Sequence, residues 1–589
     1  MTRRSFVALS AGAGALARAQ QAPREDDAVL RAMRDEMERS RSLRIVSLDA
    51  PYFIEYAVHD SGGLVVSANL GALTSVIENR SRLPRIRVRV GDYQFDDGNY
   101  VLSGSQFGSR YDLGAFPVDD DYAAMRQYFW LATDSVYKSA LEVIARKRAA
   151  LKNLNSADQL PDFSKAEAAS LLLAKPQPAL RQEPWKSRVR TLSALFASHP
   201  RITDSRVWFE AGLGSFYLAN SEGAVVRVPE NAAMLEIRAS ALAPDGMLVR
   251  DAVSFNAHEL DELPAEEELR RGAETVAGNV EALLDAPRGE AYLGPVLFEP
   301  TAAAQFMAEL LGRNLPLRRR PVSEPGRSTA FVPSEMEGRR GSRILPDWMD
   351  VVDDPTATEW QGRPLFGRYL VDLEGVVPKP LVIVEKGVLR NYLLTRQPMR
   401  GAEGSNGRAR LPGAMGANAA SFSSLFVRAT GAVALPELKK QLLDLARQRN
   451  LPHGILIRKM DYPSTASSSE YRRMLSRAST AGGGSRPVSQ PLLAYRVYAD
   501  GREELVRGLW LKGVQVRTLR DIVAAGGDPA VFEYRENGAP FALTGAGSFV
   551  AESSVIAPGL LFDELQLERV EEDLPTLPIV PAPPLAAPR

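Results

Sequence analysis

Cysteine and histidine, two residue types that often perform catalysis or bind metals, are absent or rare in this chain. The sequence contains no cysteine and only four histidines in 589 residues. The lack of cysteine excludes disulfides, thiol nucleophiles, iron–sulfur clusters and thiolate zinc sites. A metal site or a proton relay must therefore use carboxylates or the histidines. The histidines stand singly in the sequence, at His59, His199, His258 and His453.

Common nucleotide-binding and hydrolase motifs are absent from the sequence. It has no GxxxxGK[ST], GxSxG or HExxH, and no GxGxxG after a predicted strand. Ser135-Val-Tyr-Lys138 matches SxxK, but no KTG or KSG occurs in the chain, and the match lies in a periodic segment. This pattern favours a solvated helical face over a nucleophile. His258-Glu259 has no second histidine four residues on, which favours a polar surface loop.

Charge and composition narrow the class of protein further. Lys plus Arg and Asp plus Glu each number 72, so the formal net charge is zero. No global positive field attracts the chain to nucleic acid, and we expect no nucleic-acid partner. Apolar residues make up 45% and charged residues 24%. These values are typical of globular proteins and exclude wholesale disorder, collagen-like repeats and coiled coils.

A more informative series of segments occurs in the second half of the chain. Residues 294–300 read as a strand that ends in proline, and an Ala-rich run over 301–315 carries one acidic residue, Glu309. Further on come Val351-Val-Asp-Asp-Pro355, Asp372-Leu-Glu-Gly375 and an apolar run over 381–393. Each piece alone predicts only a core strand or an acidic turn.

In this order and spacing, the segments resemble the C-terminal domain of the TldD/PmbA family, which comprises bacterial metallopeptidases and non-catalytic relatives. The family pattern runs from His-Glu-x-x-Gly-His on an Ala-rich helix, through Val-Asp-Asp-Pro and Asp-x-Glu-Gly, to an apolar strand ending in Glu-x-Gly-Val-Leu. The resemblance covers residues 267–429 and, more weakly, 492–569, where residues 558–565 are similar to the closing strand of the family. It implies a zinc peptidase or its partner subunit, and a dimer.

The chain departs from the peptidase pattern at the metal-binding helix. Where the peptidases have His-Glu-x-x-Gly-His, it has Ala308-Glu309-Leu-Leu-Gly312-Arg313. Ala308 has no donor atom, the Arg313 cation repels a dication, and the cysteine ligand of the catalytic branch is also missing. Zinc is therefore expected for the family and not for this chain. Glu309 is the retained motif glutamate, predicted to be a vestige that pairs with Arg313.

Two hypotheses about function follow. The first is a binding protein: a metal-free, non-catalytic subunit that forms a homodimer or a heterodimer with a catalytic TldD-type paralogue, or that binds peptides itself. The second is an enzyme: a divergent metal-dependent peptidase or hydrolase with a rebuilt carboxylate site. The candidate carboxylates of that site are Glu309, Asp353, Asp354, Asp372 and Glu374. The competing interpretation is that these residues belong to turns and helix caps.

The N-terminus resembles a twin-arginine signal peptide. Arg3 and Arg4 precede a mildly apolar run that ends in Ala17-Arg18-Ala19, a small-x-small cleavage site. The apolar run is shorter than the ~20 residues that a membrane span requires. We therefore expect residues 1–19 to direct export of a soluble protein, to the periplasm or beyond, with no membrane span.

Apolar periodicity predicts an α+β protein with two main domains. We expect an N-terminal domain (24–288) of mixed sheet with long helices, and a C-terminal domain (289–573) of antiparallel strands with short helices. The resemblance implies that these strands form a barrel. Residues 466–490 are predicted to be a mobile insertion and 574–589 a Pro-rich tail. Helices are predicted at 26–41, 122–154, 267–286, 301–315 and 435–449, and strands at 52–58, 64–68, 85–90, 294–298, 369–372, 380–385, 389–394, 455–458, 492–498 and 505–511.

Overall fold

The protein has an α+β fold, as the sequence predicts. The computed structural model describes residues 27–45, 48–101, 109–111, 116–152, 160–176, 180–323, 331, 333–402, 404–412, 418–463, 465, 488–536, 551–571 and 580. The predicted signal peptide (1–19), residues 466–487 of the predicted insertion and nearly all of the predicted tail lie outside these residues. No helix among the described residues is both long enough and apolar enough to cross a membrane.

Helices and strands alternate irregularly along the chain. The helices are α1 (Ala28–Ser40), α2 (Tyr122–Lys152), α3 (Gln182–Ala194), α4 (Glu266–Asp285), α5 (Pro300–Leu310) and α6 (Leu435–Gln448). The strands up to residue 257 are β1 (Pro51–Asn69), β2 (Ala72–Val90), β3 (Tyr100–Val101), β4 (Ser109–Tyr111), β5 (Ser170–Leu172), β6 (Asp204–Asn220), β7 (Val225–Pro229), β8 (Ala232–Leu242) and β9 (Leu248–Ala257).

Most of the later strands are short. They are β10 (Tyr292–Phe298), β11 (Val322–Ser323), β12 (Met349–Asp353), β13 (Glu359–Trp360), β14 (Arg363–Pro364), β15 (Leu381–Glu385), β16 (Val388–Leu389), β17 (Ala409–Pro412), β18 (Asn418–Ala420), β19 (Ser424–Ala429), β20 (His453–Met460), β21 (Pro491–Tyr498), β22 (Glu503–Val506), β23 (Leu509–Lys512), β24 (Ile522–Ala525), β25 (Ala530–Glu536), β26 (Ala551–Ala557) and β27 (Leu560–Arg569).

The N-terminal half is organised around one eight-stranded sheet. Its strand order is β4-β2-β1-β6-β7-β5, with β8 pairing to β6 and β9 to β8. Successive side chains of a strand face opposite sides of a sheet. On one side, Tyr56 and Val58 of β1 pack with α1 and α2, and farther along the same strand Leu64 and Val66 pack with α3 and α4. Helices therefore cover this side of the sheet along its length.

The end of β2 presents a different kind of surface on each side of the sheet. Ile86 and Val88 belong to the apolar core with α1 and α2. Arg85, Arg87 and Arg89 alternate with them and are buried on the other side, where Arg85 contacts Leu373 and Arg87 contacts Asn418 of the C-terminal half. Charged residues are rarely buried unless they are paired. This strand therefore joins the two halves of the chain through ionic contacts.

The C-terminal half contains two larger sheets that form a curled half-barrel. The seven-stranded sheet has the order β22-β21-β20-β10-β27-β23, with β24 on β27, and the six-stranded sheet has the order β16-β15-β12-β19-β26-β25. Most pairs are antiparallel, but β10–β20 and β19–β26 are parallel. Helix α5 packs against strands of both sheets, and every residue from Ala302 to Leu310 is buried.

Most of the predicted helices match the observed ones, and some of the predicted strands differ from the observed strands. Four of the five predicted helices occur with both ends within two residues of the predicted positions, whereas the helix predicted at 301–315 is α5, which already ends at Leu310. The predicted strand at 369–372 is wrong: the Asp372 carboxylate accepts hydrogen bonds from Glu374 N and Val376 N and closes a turn instead. The predicted strand at 505–511 is two strands, β22 and β23. The division into domains at residue 288 stays a prediction.

Candidate functional site

Helix α5 carries the residues that correspond to the metal-binding motif of the resemblance. Pro300 occupies the first turn of the helix, where its missing N–H costs no hydrogen bond. Gln305 fixes the helix to the end of β20, since its side-chain amide donates to Met460 O (3.0 Å) and Tyr462 O (2.7 Å) and accepts from Met460 N (2.8 Å). Ala308 has no exposed surface and lies in the main apolar core.

Glycine is required after this helix for a steric reason. A Cβ atom placed on Gly312 would lie 2.3 Å from Cε1 of Phe422, which is itself buried in the core. Real Cβ contacts are not this short, so any other residue would displace the Phe422 ring. The glycine of the motif is therefore explained by packing alone.

We expect Gly312→Ala to destabilise the protein by ~1–3 kcal/mol, because the added methyl group overpacks a filled core. The loss should appear as a lower urea midpoint. Gly278→Ala in α4 is a matched control: its Cβ would meet nothing within 4 Å, and alanine is the better helix former by about 1 kcal/mol. Equal stability losses in the two variants would contradict the packing argument.

Glu309 is buried, with 8% of its surface exposed. Its carboxylate accepts two hydrogen bonds from one residue, Ser489: the backbone N–H at 2.8 Å and the hydroxyl at 3.0 Å. Burial raises the pKa of Glu309 to about 7, while Arg313 and the two Ser489 donors oppose the shift. The side chain therefore serves as a hydrogen-bond acceptor for the chain at residue 489.

Arg313 lies beside Glu309, as the helical spacing predicts. Its Nη1 is 3.7 Å from Glu309 Oε1, and its guanidinium carbon stacks 4.8 Å from the centroid of the Tyr462 ring. A guanidinium that stacks on an aromatic ring and faces a carboxylate is held by cation–π and Coulomb attraction together. Arg313 thus places a fixed positive charge where the motif has its second histidine.

The donor set around α5 does not fit a zinc ion. Zinc sites need about three nitrogen, thiolate or carboxylate donors at one point. Ala308 offers none, Arg313 is cationic, and both oxygens of Glu309 already accept hydrogen bonds. The nearby Asp461 carboxylate accepts from Arg250 Nη2 (2.8 Å) and from Thr465. Within the described residues, no three His, Asp or Glu side chains are arranged to hold a metal.

Each of the other candidate carboxylates accepts hydrogen bonds from nearby residues. Asp353 is fully buried and accepts from Arg408 Nε (2.8 Å), Ser423 N (2.7 Å) and Ser423 Oγ (2.8 Å). Asp354 lies in the following turn, where it accepts from Thr356 N and Oγ1. Asp354 therefore stabilises a turn, whereas Asp353, the last residue of β12, forms a buried ion pair with Arg408.

Asp372 and Glu374 lie together in the polar contact between the two halves of the chain. Burial and the neighbouring Glu374 raise the pKa of Asp372 to about 7, opposed by its backbone N–H donors. Glu374 accepts from Arg396 N (2.7 Å) and Asn418 Nδ2 (3.2 Å), and it lies 3.8 Å from Arg87 Nη1. Glu374 therefore lies opposite the buried Arg87 of β2, while Asp372 accepts backbone N–H groups of its own turn and of Ala409.

Sequence reasoning missed the residues that contact the Glu309–Arg313 pair, and it missed the partners of the buried arginines of β2. Ser489 and Tyr462 contact Glu309 and Arg313 from more than 140 residues away along the chain. The only sequence signal for the buried arginines is the alternation of Arg with Ile and Val over residues 85–90, which predicts a strand but not the partner of its charged side.

Comparisons with known proteins place the chain among metallopeptidase relatives. Residues 291–498 match the PmbA/TldA metallopeptidase C-terminal domain. A curated metalloprotease from Archaeoglobus fulgidus is 35% identical over 78 residues, a stretch that spans 13% of this chain and only 17% of that protein.

Solved structures show the same overall fold. TldE from Thermococcus kodakarensis superposes with a TM-score of 0.56 at 14% identity, covering 92% of this chain and 100% of its own. A putative modulator of DNA gyrase from Bacteroides thetaiotaomicron gives a TM-score of 0.55 at 11% identity, covering 92% and 98%. A similarly described protein from Thermotoga maritima gives 0.52 at 14% identity, covering 87% and 96%. At such low identities the likeness establishes the fold alone.

Proposed function

Since the chain belongs to the TldD/PmbA family by its C-terminal domain, we propose that it is a metal-free, non-catalytic member that acts as the partner subunit of a TldD-type metallopeptidase. The proposal rests on the contacts that the motif positions of helix α5 make in the structure. Its ligand positions are an alanine in the apolar core and an arginine stacked on Tyr462, and its glutamate accepts hydrogen bonds from Ser489. Each position thus contributes to packing or to a hydrogen bond, and this supports a role that does not depend on a bound metal.

Loss of the metal site leaves a role in binding. A partner subunit completes the groove of a catalytic subunit or presents peptide to it, and extended peptides are commonly held by backbone pairing to a strand. The ligand class that we propose is therefore an unstructured peptide. The assembly is a heterodimer with a paralogue that carries His-Glu-x-x-Gly-His, or a homodimer if the chain binds peptides by itself.

Export is the second part of the proposal. Arg3, Arg4 and the Ala17-Arg18-Ala19 site support twin-arginine transport, which carries folded proteins. A folded complex could then leave the cytoplasm with a partner that has no signal of its own. Fusion of residues 1–24 to a reporter that is active only outside the cytoplasm tests this point. We expect the reporter to be exported, and we expect export to be lost when Arg3 and Arg4 are both replaced by Lys. Export of the Lys variant at an unchanged rate would contradict twin-arginine transport.

The subunit role is tested with untagged protein from its own host. We expect a paralogue bearing His-Glu-x-x-Gly-His to copurify, and we expect hydrolysis of an unstructured peptide only when both chains are present. A lone monomer with no affinity for peptides would overturn the proposal. Hydrolysis by the isolated chain that Glu309→Gln abolishes would favour the divergent hydrolase instead.

A further inference from the structure

His258 follows the last residue of β9 and lies between the two halves of the chain, not in the surface loop that its sequence suggests. The ring is half-buried and packs against Phe366, which belongs to the C-terminal half and is almost fully buried. The backbone of His258 is fixed by the next turn, since its N–H donates to Glu262 Oε2 at 3.0 Å. The position of the ring is therefore defined from both sides.

Both ring nitrogens of His258 face backbone carbonyl oxygens. Nδ1 lies 2.9 Å from Asn231 O in the N-terminal half, and Nε2 lies 2.9 Å from Phe366 O in the C-terminal half. A carbonyl oxygen only accepts hydrogen bonds, and a neutral imidazole has one N–H donor and one acceptor nitrogen. Two such contacts are satisfied at once only when both nitrogens carry protons, that is, by an imidazolium cation.

Charged groups from both halves of the chain surround the ring. On its own side, Glu262 accepts the backbone N–H of His258 and pairs with Arg368 (2.5 Å), while Glu259 accepts from Asn231 Nδ2 (2.9 Å). On the opposite side, Glu533 of β25 accepts from Phe366 N (3.2 Å) and pairs with Arg363 (2.8 Å). The described surroundings of the ring thus contain three carboxylates and two guanidinium groups, drawn from both halves of the chain.

We propose that protonated His258 is a pH-sensitive latch between the N-terminal and C-terminal halves, which closes when both ring nitrogens donate and loosens when one proton leaves. Histidine is the side chain whose charge ordinarily changes near neutral pH. Loss of one proton turns one of the two donors into an acceptor that faces a carbonyl oxygen, so the bridge between Asn231 O and Phe366 O breaks at one end. The inference does not depend on the proposed subunit role.

The protonation state is read directly from ¹⁵N chemical shifts of the histidine rings in the full-length protein. At about pH 6 we expect the His258 ring to show two protonated nitrogens, with two slowly exchanging ring protons. His258→Gln assigns the signals by their disappearance. A neutral-tautomer pattern for this ring at about pH 6 would overturn the proposal, whatever the variant does to stability.

The latch is tested independently by melting temperature. His258→Gln should lower the melting temperature by about 1–2 °C at about pH 6, the shift expected when one hydrogen bond is lost from a chain of 589 residues, and by less at about pH 8.5. His453→Gln is the control with the opposite trend, because burial and then Arg496 lower the pKa of His453 and folding favours its neutral form. A His258→Gln loss that is equal at both pH values would contradict the latch.

Discussion

Arg408→Met should be among the most damaging single substitutions in this protein, with an expected loss of ~3–5 kcal/mol in the free energy of unfolding. Arg408 is 1% exposed, and its guanidinium donates to the Asp353 carboxylate (2.8 Å), to Asp353 O (3.1 Å) and to Lys379 O (2.7 Å). Methionine keeps most of the apolar stem but removes every donor. The substitution leaves Asp353 as a buried charge without its cation.

A second substitution separates charge loss from lost packing. In Asp353→Asn/Arg408→Met a neutral amide replaces the buried carboxylate. The double variant should therefore be more stable than Arg408→Met alone. Arg447→Met is the matched surface control, since Arg447 is 72% exposed and pairs with Asp444 on α6; exposed pairs contribute little. Urea midpoints check all three. A double variant no more stable than the single variant would contradict a role for the ion pair.

Glu309→Gln should make the protein more stable above neutral pH, contrary to the usual effect of replacing a buried polar residue. Burial raises the pKa of Glu309 to about 7 in the folded protein from an ordinary value of 4.5, against Arg313 and Ser489. The protonated Glu309 side chain therefore stabilises the folded state, and this contribution is complete below about pH 4.5. It is lost as the pH rises through about 7, where the side chain ionises in the folded protein. Keeping an ionised carboxylate in this position costs on the order of 3 kcal/mol.

The comparison of variants at two pH values isolates this effect. Glutamine can accept from Ser489 N and donate to Ser489 Oγ, so the contacts of the side chain survive. We expect equal melting temperatures for wild type and Glu309→Gln at about pH 4, and a higher value for the variant at about pH 8. Glu437→Gln, at a half-exposed site on α6 that pairs with Lys440, should show no such divergence. A variant less stable than wild type at about pH 8 would contradict this prediction, because it would mean that the ionised Glu309 stabilises the fold.

The elements that could be predicted from the sequence are those whose signal is local. Helices α2 and α4 bury one face against a sheet, so their apolar residues recur at helical spacing and predict their ends. The turn at Asp372 has no such signal, because residues 369–371 are a short apolar run that is typical of a strand. Only the hydrogen bonds from Glu374 N and Val376 N to the Asp372 carboxylate show that the segment is a turn.

In the candidate site, too, local contacts could be predicted from the sequence and long-range contacts could not. The pairing of Arg313 with Glu309 is predictable, because both residues lie on successive turns of one helix segment. The hydrogen bonds from Ser489 and the stacking on Tyr462 are not, since they join segments that are far apart in sequence. The same holds for Arg85 and Arg87, whose buried partners include Glu55 on β1 and Asn418 on β18.

The central claim is that the family helix of this chain holds no metal, and metal content tests it most directly. Untagged protein is dialysed against trace zinc and measured by mass spectrometry, with a paralogue that carries His-Glu-x-x-Gly-His as the positive control. We predict far less than one metal ion per chain, and the same content in Glu309→Gln. About one tightly held ion per chain, lost in Glu309→Gln, would contradict the account and place a rebuilt metal site at Glu309.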